Sequence, residues 1–397
     1  MKNKDNLIIE LASFFILLGA LISVEGSIGG VFRILSIIPL MGIGLIFPFI
    51  NIIKDKKIKS IQFKFLLSYS LFLAIYFIGL FLYPKINSIK IFLQGLALIN
   101  FFLYFSSLDY SKCKFKVMRI GTVLIILLFF LTITNILSYA KFWRVFSVHP
   151  FLMMFFMIVL YNREKKTKYI IIVLILSVIT IYTKSRSVLL MMIVSIFVYS
   201  LWKFITRRRV RHMLFLTVVF VSIFSFMAVY ISLYTSPNEF TETLQEFSQK
   251  RFGKNLYSGR QLLWANAIEN IKGNWIFGLG TGVSAGGMDE NLSINLSVHN
   301  LYLQLITQNG LIGLLSFLIL LFSIWMLFWK SKKNNVTRLS AAFFIAVIVQ
   351  NTFEVILLHN HMAVAFFQWF IFAIGVSATT CEMHTNVKEM LTSYDDE

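Results

Sequence analysis

Charge is scarce in this sequence. Asp, Glu, Lys and Arg make up only 14% of its 397 residues, about half of the roughly 25% usual in a soluble domain, and that excludes an ordinary water-soluble globule. Acids are the scarcer sign, 18 against 37 basic residues, for a formal net charge of +19. In a soluble chain that imbalance would suggest nucleic acid. Here most basic residues stand between apolar runs, where they report orientation instead, and no nucleic-acid partner is expected. Cysteine is nearly absent. Cys113 and Cys381 are the two present, too few for a disulfide framework or a thiolate metal site. The chain also lacks an internal repeat and any low-complexity tract.

What is abundant is apolar, 58% of residues, with aromatics at 16%. Runs of about 20 such residues recur from Leu7 to Ala378, each long enough to cross roughly 30 Å of hydrocarbon as a helix. The expected fold is an all-α polytopic membrane protein, a single domain over residues 1–397 with about twelve transmembrane helices. Its spans are expected near 7–24, 31–53, 63–83, 89–108, 120–140, 145–161, 169–184, 186–202, 213–234, 301–329, 339–358 and 361–378. The first run lacks the small-residue cleavage site of a signal peptide and is taken as a retained span.

The connections fix an orientation. With the N-terminus inside, the alternate segments Met1 to Asn6, Lys54 to Lys64, Asp109 to Arg119, Asn162 to Lys168, Lys203 to His212, Lys330 to Arg338 and the C-terminal tail hold 25 of the 37 basic residues. Because the bias sits in short loops, both termini are expected to be cytoplasmic. The long connection 235–298, between spans nine and ten, then lies on the extracytoplasmic side. A connection of that length without structure is uncommon unless it functions. Phe240, Leu244 and Phe247 have the spacing of one helix face. Ser258 and Gln261 have capping-box spacing for a second helix, with Trp264, Ile268 and Ile271 as its apolar stripe and Gly273 as its end.

Few ionisable groups fall on the expected outer side, and charges in or at a membrane are costly enough to be informative. Arg260 falls in the first turn of the capped helix, where a cation meets the positive end of the backbone dipole. A phosphate bound there would offset that repulsion, whereas the alternative is an exposed arginine pairing with Glu242 or Glu246. Arg186 lies in Thr183-Lys-Ser-Arg-Ser187, a polar break with no room for a loop. Its two hydroxyls and two cations, including Lys184 and Ser185, would suit a diphosphate, and the alternative is snorkelling to lipid headgroups. His299 and Asn300 open the span after the long connection, with Ser297 as a candidate N-cap. An imidazolium is disfavoured at that helix end, so His299 is expected as a neutral imidazole able to accept a proton from a hydroxyl. Gly278-Leu-Gly-Thr-Gly282 follows no strand and is no nucleotide fingerprint. Its glycines, Gly278 and Gly280 among them, would let backbone approach a ligand or a neighbouring helix closely. His359-Asn-His361 has metal-ligand spacing but no third ligand, so no metal is expected.

Together these pieces resemble the bacterial O-antigen ligase and polymerase family, which includes the Wzy-type polysaccharide polymerases. The resemblance rests on Thr183-Lys-Ser-Arg186, on Ser258-Gly-Arg-Gln-Leu-Leu-Trp264 through Phe277-Gly-Leu-Gly280, on His299-Asn-Leu-Tyr-Leu-Gln304, and on Gln308-Asn-Gly-Leu-Ile-Gly313. It implies a GT-C-like membrane glycosyltransferase of the bacterial plasma membrane that moves glycan from an undecaprenyl-diphosphate-linked oligosaccharide donor to an acceptor hydroxyl, with no metal and no cofactor. Carried over by motif, Arg186 and Arg260 hold the diphosphate and His299 is the base. Lys184, which departs from the smaller residue usual there, adds a phosphate contact; Asn300, Trp264 and Glu354 line or support the site. Glu354 is the replacement base should His299 only position substrate. Membrane lipid, a chain-length regulator and a flippase are the partners implied. A compact long connection and a composition rich in Lys, Ile, Asn and Phe favour an O-antigen or capsule repeat-unit polymerase, using lipid-linked repeats as acceptors. The alternatives are a ligase that transfers finished glycan to lipid A-core, and a lipid-linked oligosaccharide flippase. Against the flippase, no repeated half and no matched pair of Gly- or Pro-interrupted spans is present.

Overall fold

The chain is described by a computed structural model for residues 2–21, 37–46, 60–82, 84, 86–110, 113–134, 139–235, 239–252, 260–283, 288–289, 294–295, 297–358 and 361–377. Among these residues the helices run α1 (Lys2–Leu21), α2 (Ile37–Ile46), α3 (Ser60–Leu82), α4 (Ile86–Ser106), α5 (Lys116–Ile133), α6 (Tyr139–Glu164), α7 (Lys168–Tyr182), α8 (Arg186–Ile205), α9 (Arg209–Thr235), α10 (Glu239–Phe252) and α11 (Arg260–Asn270). Then come α12 (Leu301–Lys330), α13 (Asn335–Gln350) and α14 (Met362–Ser377). Between α11 and α12 a minimal antiparallel ladder pairs β1 (Met288–Asp289) with β2 (Ile294–Asn295), Met288 opposite Asn295.

Among the described residues a helix falls within each apolar run expected from hydropathy, because in hydrocarbon the backbone must satisfy its own hydrogen bonds. Hydroxyls within the helices do the same. Ser13 donates to Ile9 O, Thr122 to Met118 O, Thr180 to Leu176 O and Thr307 to Leu303 O. Six of the helices among the described residues are long and apolar enough to cross a membrane: α3, α4, α5, α8, α9 and α12. Four shorter apolar ones, α2, α7, α13 and α14, have 10 to 17 residues.

Two expected segments differ from the pattern read in the sequence. The run 339–358 is helical only to Gln350, after which Asn351–Leu358 turns. Asn351 causes the break: its Oδ1 accepts from Ile356 N and Leu357 N, and its Nδ2 donates to Val347 O. The run 301–329 is interrupted at Gly310, whose φ of 65° and ψ of −168° leave the helix. The polar stretch Thr307-Gln308-Asn309 stands just before the break, but the run as a whole is apolar enough to read as one span.

The interior is built on α13, α14 and the part of α6 from Val148 to Leu160, almost wholly buried, with a phenylalanine cluster of Phe101, Phe105, Phe366 and Phe370 at ring separations of 4.2 to 6.2 Å. The periphery shows the reverse pattern. Ile120, Val123, Leu124 and Leu127 on α5, and Val210, Leu214, Val218 and Val221 on α9, are exposed at helical spacing. Apolar stripes of that extent would aggregate in water and are at home against lipid tails. The chain is a multi-pass helical membrane protein.

Polar contacts distinguish the two ends of this bundle. At one end Arg338 donates to Tyr199 O, Trp202 Nε1 to Lys332 O, Lys332 Nζ to Thr206 O, and Trp325 Nε1 to His212 O. These contacts make α13 run antiparallel to α8 and α12 antiparallel to α9. The Arg186 end of α8, the last turns of α9, the start of α12 and the end of α13 therefore all meet at the opposite end. Away from them, Arg119 pairs with Glu164, which Lys166, Tyr169 and Arg119 hold down at about 2.

Candidate active site

Three side chains from distant parts of the sequence converge where α11, α12 and the turn after α13 meet. Arg260, the first residue of α11, donates from its terminal guanidinium nitrogen to Glu354 Oε1 at 3.1 Å. The other oxygen of the same carboxylate, Oε2, lies 3.3 Å from His299 Nδ1. The groups are a quarter to a half exposed, 25% for Arg260, 26% for Glu354 and 46% for His299, so solvent or substrate can reach them. An ionised carboxylate only accepts, so in this pairing Nδ1 is the donor, and Nε2 is the ring nitrogen directed away from Glu354.

Each of the three is held from behind. Trp264, fully buried on α11, donates from Nε1 to Val298 O at 2.9 Å and packs on Tyr230 at 4.8 Å, tying α11 to the residue before His299. Leu301 N donates to Asn351 O and Tyr302 Oη to Ile348 O, joining the start of α12 to the end of α13. Asn351 pins the turn that carries Glu354. Phe353, packed on Phe226 at 5.5 Å, also lies 6.0 Å from the Arg260 guanidinium.

The break at Gly310 completes the support. The carbonyls of Thr307 and Gln308 accept from Leu279 N and Gly280 N, both at 2.8 Å, while Leu311 N and Ile312 N donate to Trp275 O and Ile276 O. A glycine loop thus takes up the hydrogen bonds that the interrupted helix frees. It can do so only at close range. A Cβ on Gly278 would come within 2.6 Å of Gly310 N, and one on Gly310 would overlap Ile276 O. Asn309 Nδ2 bonds Thr281 Oγ1, itself bonded to Tyr76 O, and Gln304 and Gln308 both donate to Val283 O. His299 therefore stands immediately before the cap of a short first segment of α12 that is clamped on both sides.

The sequence-derived site is thus reached in part. Arg260, His299 and Glu354 meet, as an ion pair and a hydrogen bond that the one-dimensional reading did not join. Arg260 pairs with Glu354, neither Glu242 nor Glu246; the latter takes Lys250 on its own helix at 3.1 Å. Ser297 is not the N-cap of α12. Asn300 is: its Oδ1 accepts from Leu303 N at 3.0 Å, and Ser297 Oγ instead takes His299 N, the histidine itself standing at a φ of 48°. Trp264 and Asn300 are fully buried in these structural bonds and offer substrate no surface. Gly278 and Gly280 are likewise buried, packed against the break in α12. On α10, Thr241 and Ser248 are buried while Phe247 is exposed, so the packed face is not the one Phe247 marks.

Arg186 opens α8 after Lys184, whose φ is 50°, and Ser185, whose Oγ lies 3.4 Å from Ser187 Oγ. Lys184 and Arg186 are exposed at the same end of the bundle as Glu354. The expected cap at Ser258 and the residue His359 lie outside the described residues. Asn351 and Phe353 were missed; the polar Asn-Thr pair inside an apolar run was the available sign of a break.

A multi-pass membrane protein with an Arg-Glu-His array at the mouth of its bundle is the class these features define. Within it, residues 170–318 match the family model described as O-antigen ligase, a stretch that runs from α7 into α12 and contains every motif of the resemblance drawn above. Over that stretch the chain is similar to the O-antigen ligase family. No curated protein matches the chain.

Proposed function

We propose that this protein is a polysaccharide polymerase that transfers glycan from an undecaprenyl-diphosphate-linked donor to a hydroxyl of a lipid-linked acceptor. The observation that carries the reading is the Arg260-Glu354-His299 array, whose arginine and histidine lie in the family-matched segment, at the bundle end opposite the basic loops. A guanidinium for a diphosphate and an imidazole with a free ring nitrogen are the two groups such a transfer needs. Arg186, with Lys184 and Ser185, supplies a second cationic turn at that end. Attack opposite the leaving diphosphate inverts the anomeric centre. Neither metal nor nucleotide sugar takes part.

We further propose twelve crossings in a GT-C-like single domain, of which the six long apolar helices and four shorter ones among the described residues would form part. Positive charge at the end remote from the array supports cytoplasmic termini and an extracytoplasmic site in a bacterial plasma membrane. A cysteine introduced between 240 and 252, in a Cys381→Ser background, is expected to react with a membrane-impermeant maleimide in spheroplasts. Cys113 will not interfere, being 3% exposed with a thiol that burial pushes up to about 11. Labelling only after lysis would reverse the orientation.

A ligase transferring to lipid A-core uses the same groups, and a flippase needs cations for the same headgroup. The break in α12 does not favour transport, since its freed backbone groups are taken by the glycine loop. The lipid-linked products of a deletion strain separate the readings. Single repeat units should accumulate; accumulated long chains would mean a ligase. Failure of the purified protein to lengthen or transfer any lipid-linked glycan in detergent would leave transport.

A further inference from the structure

Glu354 is the one group that touches both of the others. Its Oε1 holds Arg260 and its Oε2 faces His299 Nδ1, and the turn that carries it is fixed by three Asn351 side-chain hydrogen bonds. Nothing about a lone carboxylate requires this arrangement. A carboxylate needed only to neutralise Arg260 could sit anywhere around the guanidinium, and here it is aimed at the ring nitrogen that cannot be the base if Nε2 is.

We infer that Glu354 is the positioning residue of the transfer, orienting His299 through Nδ1 and surrendering Arg260 to the donor diphosphate. The inference rests on the base and anion-clamp roles proposed above. In the resting protein one carboxylate is shared between a cation and an imidazole. An incoming diphosphate, with more charge and more acceptor oxygens, competes for the guanidinium. Glu354 is then left to His299 alone, so that donor binding and base alignment are linked. In the step itself the acceptor hydroxyl oxygen bonds to the anomeric carbon while its proton passes to His299 Nε2. The bond from that carbon to the diphosphate oxygen breaks, and undecaprenyl diphosphate leaves with the electron pair. The new imidazolium keeps its Nδ1 proton on Glu354, whose charge stabilises it.

The test is a double-mutant cycle on the full-length protein in detergent or vesicles, using lipid-linked repeat units extracted from a deletion strain for turnover and undecaprenyl diphosphate for binding. Glu354→Gln should lower kcat by about 10² to 10⁴-fold, the range for losing the carboxylate behind a catalytic histidine. Undecaprenyl diphosphate should bind as well or better, because Arg260 has lost its competitor. Glu354→Asp should recover part of kcat. In a His299→Ala background, Glu354→Gln should cost almost nothing further, since it acts through the missing ring. Native kcat in Glu354→Gln, multiplied losses in the double variant, or weakened binding in step with kcat would overturn the inference. A dead His299→Ala beside a native-rate Glu354→Gln removes only Glu354's role. A native-rate His299→Ala removes the base assignment and this inference together.

Discussion

His299→Ala should reduce polymerisation by about 10² to 10⁴-fold, the usual contribution of a general base, while the protein stays folded and inserted and still binds undecaprenyl diphosphate. His299→Gln is expected to be nearly as inactive. Its amide can keep a hydrogen bond to Glu354 or to the acceptor but has no nitrogen able to take a proton at the position of Nε2. The geometry makes this a demanding test. His299 lies outside the first turn of α12, with Asn300 as the cap, so neither substitution removes a hydrogen bond on which the helix depends. Glutamine at close to the native rate would mean that the imidazole only positions substrate. Glu354 would then be the carboxylate nearest to hand to serve as base.

Arg260→Ala should lose polymer almost completely. One charge-assisted contact is worth about 1.5 to 3 kcal/mol, roughly ten- to a hundredfold or somewhat more, and the loss also leaves Glu354 without its cation. Arg186→Ala should lose the first of these without the second. Lysine at either position should rescue in part, since it restores charge but not the planar fork that matches a diphosphate. The measurement is the length distribution and rate of lipid-linked product, with undecaprenyl diphosphate binding measured in parallel. Weakened binding with both alanine variants is the expected pattern. Full activity in either variant would remove that arginine from the site.

The positions of the helices were legible in the sequence because a span has one overriding requirement, some twenty apolar residues with an internally bonded backbone, and that requirement is local. The resemblance to the O-antigen ligase family was legible too, through short motifs in the right order: Thr183 to Arg186, Ser258 to Trp264, His299 to Gln304 and Gln308 to Gly313. Arg260, His299 and Glu354 could each be picked out because charge in such a chain is scarce. What the sequence could not supply was their relation. Arg260 and Glu354 are 94 residues apart and His299 and Glu354 are 55 apart. Only the packing of α11 and α12 against the turn at Asn351 makes one carboxylate serve both. The same holds for the breaks at Gly310 and Gln350. Both lie inside apolar runs, and each exists because backbone groups freed from a helix find partners elsewhere, in the glycine loop for one and in the Asn351 side chain for the other. Hydropathy is a property of a segment, whereas a hydrogen bond between segments is decided by the tertiary structure that brings them together.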